Sequence, residues 1–573
     1  MKRFCKVIAV ILAVLMLVTM ATACKQSDDD EWEPVASDDD GSFTEEGDDH
    51  EEEGSESKPG KEDSSGEETV KDPEKEDEKD PEKEDEKDPE KEDEKEDEGE
   101  TPTIDKVIEE YDGTKKYDVE SNPLLAESKP INTGIGVSFD LDTTGFVKNN
   151  VKLADLKGKT FTLITAIKYG SFQYKGPDGE QLDEWTWWKA LKDEYGINVK
   201  YIESRFTEAV SQALTYMNAG KALDIIPTHI GGFPMYLNLS QPVDPYINLQ
   251  NIGNSPGVDE MTLEQTRYGG GYRCISPIGC VDVLWYDQSR VQELGLVDPH
   301  TLWEQDKWDW DAWRSFIQSA PQTSSSGLRL AACSISGVEV IWAWPMTDGV
   351  NPIALDNESE EMNIINNWND DRVVRALTYF GDAYKSVRNG ADTGDGGGGV
   401  IFEGTVLMGE TVVLMNNYDT YEPYAQNHKI NWVPYPKSPY DTGRYVAYNF
   451  GYTMMIPKKV KNQSNIPYAV KFMELWATRY TEAMFDYLAT AKFLQFDYEQ
   501  RKEYFEFCIS NTYFGLQMNS WRFLGEADKA AMLDAETGYI YAFSNRNLNV
   551  ATLHSKVANV VEKAIKDCIN YAQ

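Results

Sequence analysis

The chain has 573 residues, with 99 acidic side chains against 55 basic ones, a formal net charge of −44 and 40% hydrophobic residues. Such a balance excludes nucleic acid as a partner, because phosphate binding needs a basic footprint. The length exceeds what one ordinary hydrophobic core serves, so more than one folded unit is expected.

The first segment, 1–23, reads as an export signal. Met1-Lys2-Arg3 leads into an apolar run from Val7 to Met20, followed by Ala21-Thr22-Ala23-Cys24. A basic start, an apolar stretch too short to be read first as a spanning helix, and small residues before a cut define such a signal. Cys24 directly after the cut resembles a bacterial lipobox, although Ala21 stands where Leu is usual. The resemblance implies cleavage before Cys24 and lipidation of its thiol, palmitate included. It also implies a mature chain anchored on the extracellular face of the bacterial cytoplasmic membrane.

From Gln26 to about Thr101 the composition turns to Asp, Glu, Lys, Ser and Gly with almost no apolar residue. Such a segment cannot bury enough surface to offset the entropy of ordering, so disorder is expected over a tether of 24–118. Lys-Asp-Pro-Glu-Lys-Glu-Asp-Glu occurs three times in tandem from Lys71, Lys79 and Lys87, and an eight-residue period with proline suits a spacer. Between Lys25 and Glu100 stand 39 acids and 10 bases, so the tether carries most of the chain's charge. Even as a flexible coil it reaches on the order of 50 Å from its anchor.

The remaining residues, from Val119 onward, have globular composition. Cys274, Cys280, Cys333, Cys508 and Cys568 are odd in number and match no zinc spacing; Cys274 and Cys280 stand close enough for a small disulfide, with unpaired structural cysteines the alternative. His229, His300, His428 and His554 are scattered singly, so neither a metal nor another cofactor is expected. Asp392 to Asp395 with four following glycines lacks calcium-loop spacing and reads as a connection.

Apolar β-rich runs alternate with amphipathic helical patterns, an α/β layout. Lys159 to Ile167 reads as a buried strand. Asp183 to Tyr195 reads as a helix with Trp188, Leu191 and Tyr195 on one face, stopped by Gly196. Ile197 to Ile202 is the next strand, Phe206 to Ala219 the next helix with Gly220 as its stop, and Leu223 to Ile226 a third strand. In such sheets ligands sit beyond the carboxyl ends of strands, here the loops 168–185 and 227–237.

The order of segments over 155–573 resembles an extracellular solute-binding protein of family 1, the maltose-binding type that serves ABC importers. The resemblance rests on Asp155-Leu-Lys-Gly-Lys-Thr, Ala219-Gly-Lys-Ala-Leu-Asp-Ile-Ile, Pro242-Val-Asp-Pro-Tyr-Ile and Val283-Leu-Trp-Tyr-Asp287 with Leu294-Gly-Leu-Val-Asp-Pro. Trp308-Asp-Trp-Asp-Ala-Trp313, Gly409-Glu-Thr-Val-Val-Leu-Met and Asn449-Phe-Gly-Tyr-Thr-Met-Met-Ile-Pro-Lys-Lys continue it, ahead of a helix from Ile466 to Thr478. Asp287 stands where Asn is common, and 119–154 has no counterpart. Membership implies a type II two-lobe binding-protein fold, with 155–286 and 449–500 as lobe one and 287–448 and 501–573 as lobe two. The chain would cross near Tyr286, near Asn449 and a third time near Gln500. The ligand would sit in a cleft that closes by hinge motion.

Fifteen Trp and 31 Tyr suit the flat faces of sugars, and equally peptides or quaternary amines. The expected ligand contacts are Trp185, His229, Phe233 and Trp285 from lobe one, with Trp342, Trp344, Asn416, Asn417 and Tyr418 from lobe two. Trp308, Trp310 and Trp313 are expected in the core. Asp183 and Glu184 are expected to serve the helix N-terminus rather than a sugar. The expected function is capture of a carbohydrate, an oligosaccharide first, by a monomer that hands it to ABC permease subunits. Alternatives are a surface glycan-binding adhesin without transport, and a binding protein for a peptide or amine. An exported glycoside hydrolase needs a facing carboxylate pair that no motif here supports.

Overall fold

The computed structural model divides into two units, Met1–Glu96 and Asp97–Gln573. The described residues all lie in the second: 122, 124–128, 145–165, 173–175, 181–204, 209–227, 237–279, 281–320, 332–333, 337–386, 407–411, 428–449, 453–515 and 549–570. The expected export signal, Cys24 and the repeats lie outside them. Among the described residues no helix is long and apolar enough to cross a membrane.

The first half follows the expected alternation. Strand β1 (Thr160–Thr165) is followed by the antiparallel pair β2 (Gln173–Lys175) and β3 (Gln181–Asp183), and then by helix α1 (Glu184–Tyr195). Asp183 caps α1 by accepting the Thr186 N–H at 2.7 Å, satisfying one of the orphan donors of a helix start. Gly196 closes it at φ 67°, a left-handed conformation that suits glycine. Strand β4 (Asn198–Glu203) lies parallel to β1, and helix α2 (Ala209–Asn218) ends ahead of Gly220 at φ 63°. Strand β5 (Ile226–Pro227) enters beside β1 through the parallel bridge of Leu163 to Ile225. Trp187, Trp188 and Leu191 of α1 are buried, with Tyr195 only partly so.

A short helix α3 (Glu260–Gln265) precedes β6 (Cys274–Ile275). The chain then enters a second sheet at β7 (Val283–Asp287), whose five residues are all buried. Helices α4 (Gln288–Glu293), α5 (Pro299–Glu304), α6 (Trp310–Ser319) and α7 (Gly337–Met346) follow. The antiparallel pair β8 (Ile353–Leu355) and β9 (Ile364–Asn366) leads to α8 (Asp371–Ser386). Strands β10 (Met408–Thr411) and β11 (Ile430–Val433) flank β7 on either side, both antiparallel to it. After β12 (Ala447–Asn449) the chain returns to the first sheet as β13 (Met454–Met455), inserted antiparallel between β5 and β6. The first array therefore runs β4-β1-β5-β13-β6, and a separate array runs β10-β7-β11.

Helix α9 (Ile466–Thr490) runs a full three turns beyond the expected end at Thr478. No glycine or proline interrupts it there, and two ion pairs let its charged residues stay inside. Lys471 meets Glu474 at 3.0 Å and Arg479 meets Glu482 at 2.9 Å, all four side chains buried. Burying such groups is tolerable only when they are paired. Helix α10 (Tyr498–Asn511), strand β14 (Thr512–Phe514) and helix α11 (Val550–Ile569) complete the described chain.

The tryptophans of the Trp308 to Trp313 run are core, as expected. Trp308 Nε1 donates to Pro434 O at 2.8 Å and Trp310 Nε1 to Thr347 Oγ1 at 2.9 Å, so burial leaves neither donor unsatisfied. Cys274, Cys333, Cys508 and Cys568 are buried, and burial pushes the Cys274 thiol up to about 12, which keeps it inert; Cys280 lies outside the described residues.

Candidate ligand-binding region

The two sheets are linked where chain segments pass side by side. Residues 276–279 and 281–282 lie between β6 and β7, and β12 lies between β11 and β13. Asp282 and Tyr448 exchange backbone hydrogen bonds at 2.7 and 2.9 Å, locking these passages to each other. The fully buried Asp282 carboxylate accepts the Tyr435 hydroxyl through Oδ2 at 3.0 Å.

A third segment lies alongside, and it is β14. It pairs parallel with β12, with Ala447 opposite Thr512 and Asn449 opposite Phe514, and the Gly515 N–H donates to Asn449 O at 2.9 Å. Gln500, near which a third crossing was expected, instead sits in the first turn of α10 and completes a capping box with Asp497. The capping signal overrides the expectation, because Asp-x-x-Gln at a helix start satisfies two orphan donors at once. Side chains from both sides hold β14. Gln265 of α3 donates to Thr512 O at 2.6 Å and accepts the Phe514 N–H at 3.0 Å, while Asn351 donates to Phe514 O at 2.8 Å. The Arg444 guanidinium lies 3.8 Å over the Tyr513 ring, a cation–π contact. Gly515 approaches the Tyr448 ring so closely that any side chain there would strike it.

The Asp282–Tyr448 pair, β12 and β14 thus form one hydrogen-bonded ladder. Beside it, on the β5-β13-β6 side, lies a polar cluster. Asp244 accepts the Tyr272 N–H at 2.9 Å, and the Tyr272 hydroxyl donates to Glu264. Arg273 donates to Tyr268 O at 2.6 Å and Ser240 O at 3.1 Å. Burial raises the carboxyls of Asp244 and Glu264 above their usual range and lowers Arg273. Among the described residues no group of three or more His, Cys, Asp or Glu side chains is placed to hold a metal.

The structure separates the expected ligand residues. Trp185 is half-buried at the start of α1, its ring 4.4 Å from Tyr201 and 4.8 Å from Trp188. Trp285 is buried in β7 between Phe496 and Tyr504, at 6.5 and 6.0 Å. Trp342 is buried against Trp368 at 5.9 Å. Trp344 is fully buried among Trp313 at 4.7 Å, Phe380 at 4.9 Å and Trp310 at 6.3 Å. Trp285, Trp342 and Trp344 therefore present no ring face to solvent, which corrects the expectation that they line an accessible cleft. The physical reason is periodicity: α7 is apolar on nearly every side, and β7 is buried on both faces. His229, Phe233, Asn416, Asn417 and Tyr418 lie outside the described residues, as do most of the loops 168–185 and 227–237.

Two aromatic rings that sequence reasoning passed over do face solvent: Tyr201, 37% exposed beside Trp185, and Tyr440, 49% exposed beneath the Arg375 guanidinium at 4.1 Å. A signal for Tyr440 exists in its setting, Pro436-Lys-Ser-Pro-Tyr440-Asp-Thr-Gly, a turn-rich stretch that keeps a ring at the surface.

No family model matches the chain, and no curated protein matches its sequence. Among solved structures it is similar to an ABC substrate-binding protein from Listeria monocytogenes in complex with cycloalternan, at 11% identity and a TM-score of 0.47 over 71% of this chain and 98% of that one. It is similar also to the cyclic alpha-maltosyl-1,6-maltose binding protein from Arthrobacter globiformis, at 12% identity and a TM-score of 0.48 over 71% and 99%. A third is the maltotriose binding protein of Thermus thermophilus, at 14% identity and a TM-score of 0.44 over 71% and 100%. The fold of this chain is α/β, and what it is similar to are solute-binding proteins of ABC transporters.

Proposed function

We propose that the chain is an exported solute-binding lipoprotein, tethered through Cys24, that captures a carbohydrate and delivers it to an ABC importer. The observation that carries this reading is the insertion of β13 between β5 and β6 after the chain has built a second sheet. Two sheets joined through adjacent passages can bend toward each other about those passages, which is the geometry of hinge closure around a ligand. Segment order in the sequence supports it independently, from Asp155-Leu-Lys-Gly-Lys-Thr to Asn449-Phe-Gly-Tyr. Aromatic content supports sugar as the ligand class, with Trp185, Tyr201 and Tyr440 among the described rings that are not fully buried. No covalent chemistry is needed: a ligand that binds the closed form better shifts the population toward it.

The test is a thermal-shift screen of residues 119–573 against cyclic and linear oligosaccharides, monosaccharides, peptides and polyamines. A ligand that binds only the folded state raises its melting temperature by mass action. A graded response along one oligosaccharide series is the expected result. A response to peptides or amines alone overturns the ligand class and leaves solute capture standing. Silence across all classes overturns capture itself.

A further inference from the structure

The extension ahead of β1 docks at two places. Asn122 is buried, its side-chain amide donating to Pro256 O at 3.0 Å while its side-chain oxygen accepts the Leu124 N–H at 2.9 Å. That local turn carries Leu124 and Leu125 fully into the interior. Further along, Val147 bridges antiparallel to Ile247, the Asn248 N–H donates to Phe146 O at 2.7 Å, and the Asn251 amide donates to Gly145 O at 3.1 Å. Lys148 adds a bond to Asp244 O at 2.7 Å. Both pieces thus land on one stretch, residues 244–256.

The same stretch abuts the first passage between the sheets. Gly257 lies against α9 so closely that an added Cβ would strike the backbone of Ala477 and Thr478. Its carbonyl accepts the Ile278 N–H at 3.2 Å, and the Thr481 hydroxyl bonds both the N–H and the carbonyl of Ile278, at 3.1 and 3.2 Å. Ile278 belongs to the passage from β6 to β7. Around this contact the Arg479–Glu482 pair is sealed from water, although a helix with so many charges would ordinarily turn them outward.

We propose that the described pieces of the N-terminal extension, Asn122 with Leu124 and Leu125 and residues 145–148, act as a strap that presses 244–257 onto α9 and thereby fixes Ile278 in the segment between β6 and β7. The proposal does not depend on any ligand. Polar and apolar contacts divide the work: the Asn122 amide sets register against Pro256, and Leu124 with Leu125 supplies the buried surface that holds it. Because Gly257 leaves no space beneath 244–257, a loosened strap lets that stretch lift and frees the Ile278 hydrogen bond.

Native-state hydrogen exchange on the full chain tests this. The Leu124→Asp/Leu125→Asp double variant should exchange the amides of Ile278 and Thr478 to Glu482 at least about tenfold faster, with β1 and β4 amides unchanged. If that variant does not fold, Asn122→Ala should still accelerate Ile278 exchange by roughly fivefold. Unchanged Ile278 exchange in a folded variant overturns the proposal, and equal acceleration throughout β1 and β4 overturns it as well, because it would make the strap a general stabiliser with no link to the passage.

Discussion

Replacing Trp344 by Ala separates a core role from a ligand role. The side chain is fully buried, with Trp313, Phe380 and Trp310 around it. A buried tryptophan of about 200 Å² at 25 cal/mol per Å² corresponds to about 5 kcal/mol, an upper bound that cavity collapse reduces toward the usual 3–5 kcal/mol. Its indole N–H is buried without a hydrogen-bond partner, so its removal relieves a desolvation cost of about 1 kcal/mol. The net expectation is a loss of about 3 kcal/mol, a large share of the stability of an ordinary domain. Trp344→Phe keeps a ring and sheds the orphan donor, so it should cost about 1 kcal/mol. Denaturant midpoints followed by circular dichroism measure both, alongside affinity for whichever sugar gives the largest thermal shift. An unchanged midpoint in Trp344→Ala with at least tenfold weaker binding would refute the placement in the core and return Trp344 to the cleft.

Gly257→Ala should destabilise by about 1–3 kcal/mol, since the added methyl meets backbone that cannot rotate away; a neutral melting temperature would contradict the close packing on α9. His300 titrates under opposing influences: burial lowers its pKa, and the Glu503 carboxylate at 2.9 Å, with Glu304 and Asp298, outweighs burial so that the net shift is upward. A raised folded pKa contributes stability that is complete below the ordinary value of 6.5 and is lost as pH rises through the shifted value. Glu503→Gln should therefore flatten the decline in stability as pH rises above 6.5, measured by urea midpoints across that range. Asp259 is pushed up to about 6 by burial, against the hydrogen bonds from Thr262, so the folded state holds its proton more tightly than the unfolded chain does. Stability should fall as pH rises from 3.8 to about 6, and Asp259→Asn, which keeps a capping oxygen, should remove that slope.

Local signals were legible where one residue decides one event. Asp183 caps α1, Gly196 and Gly220 end α1 and α2, and the apolar runs at 160–165 and 198–203 pair as parallel strands. Misreadings arose where tertiary context decides. Nothing between Thr478 and Thr490 stops a helix, and the buried pair Arg479–Glu482 conceals that this stretch is interior. Gln500 looked like connecting chain because its role, closing a capping box with Asp497, emerges only when the helix forms. Trp342 and Trp344 carry the same letters whether they line a cleft or fill a core, and only packing against Trp368, Trp313 and Phe380 distinguishes the two. The strap was the part least visible in advance: Asn122 and the Leu124-Leu125 pair have no periodicity, and the role of Asn122 emerges only with the Pro256 carbonyl that its amide meets.

The late return of β13 also governs when the chain can fold. Pro227 cannot meet its partner Met454, nor can Ile275, until the whole second sheet has been synthesised. Contacts so distant along the chain make native structure slow to nucleate. For the exported chain proposed above, that delay would let the thread pass a translocation channel before the sheet is completed on the far side.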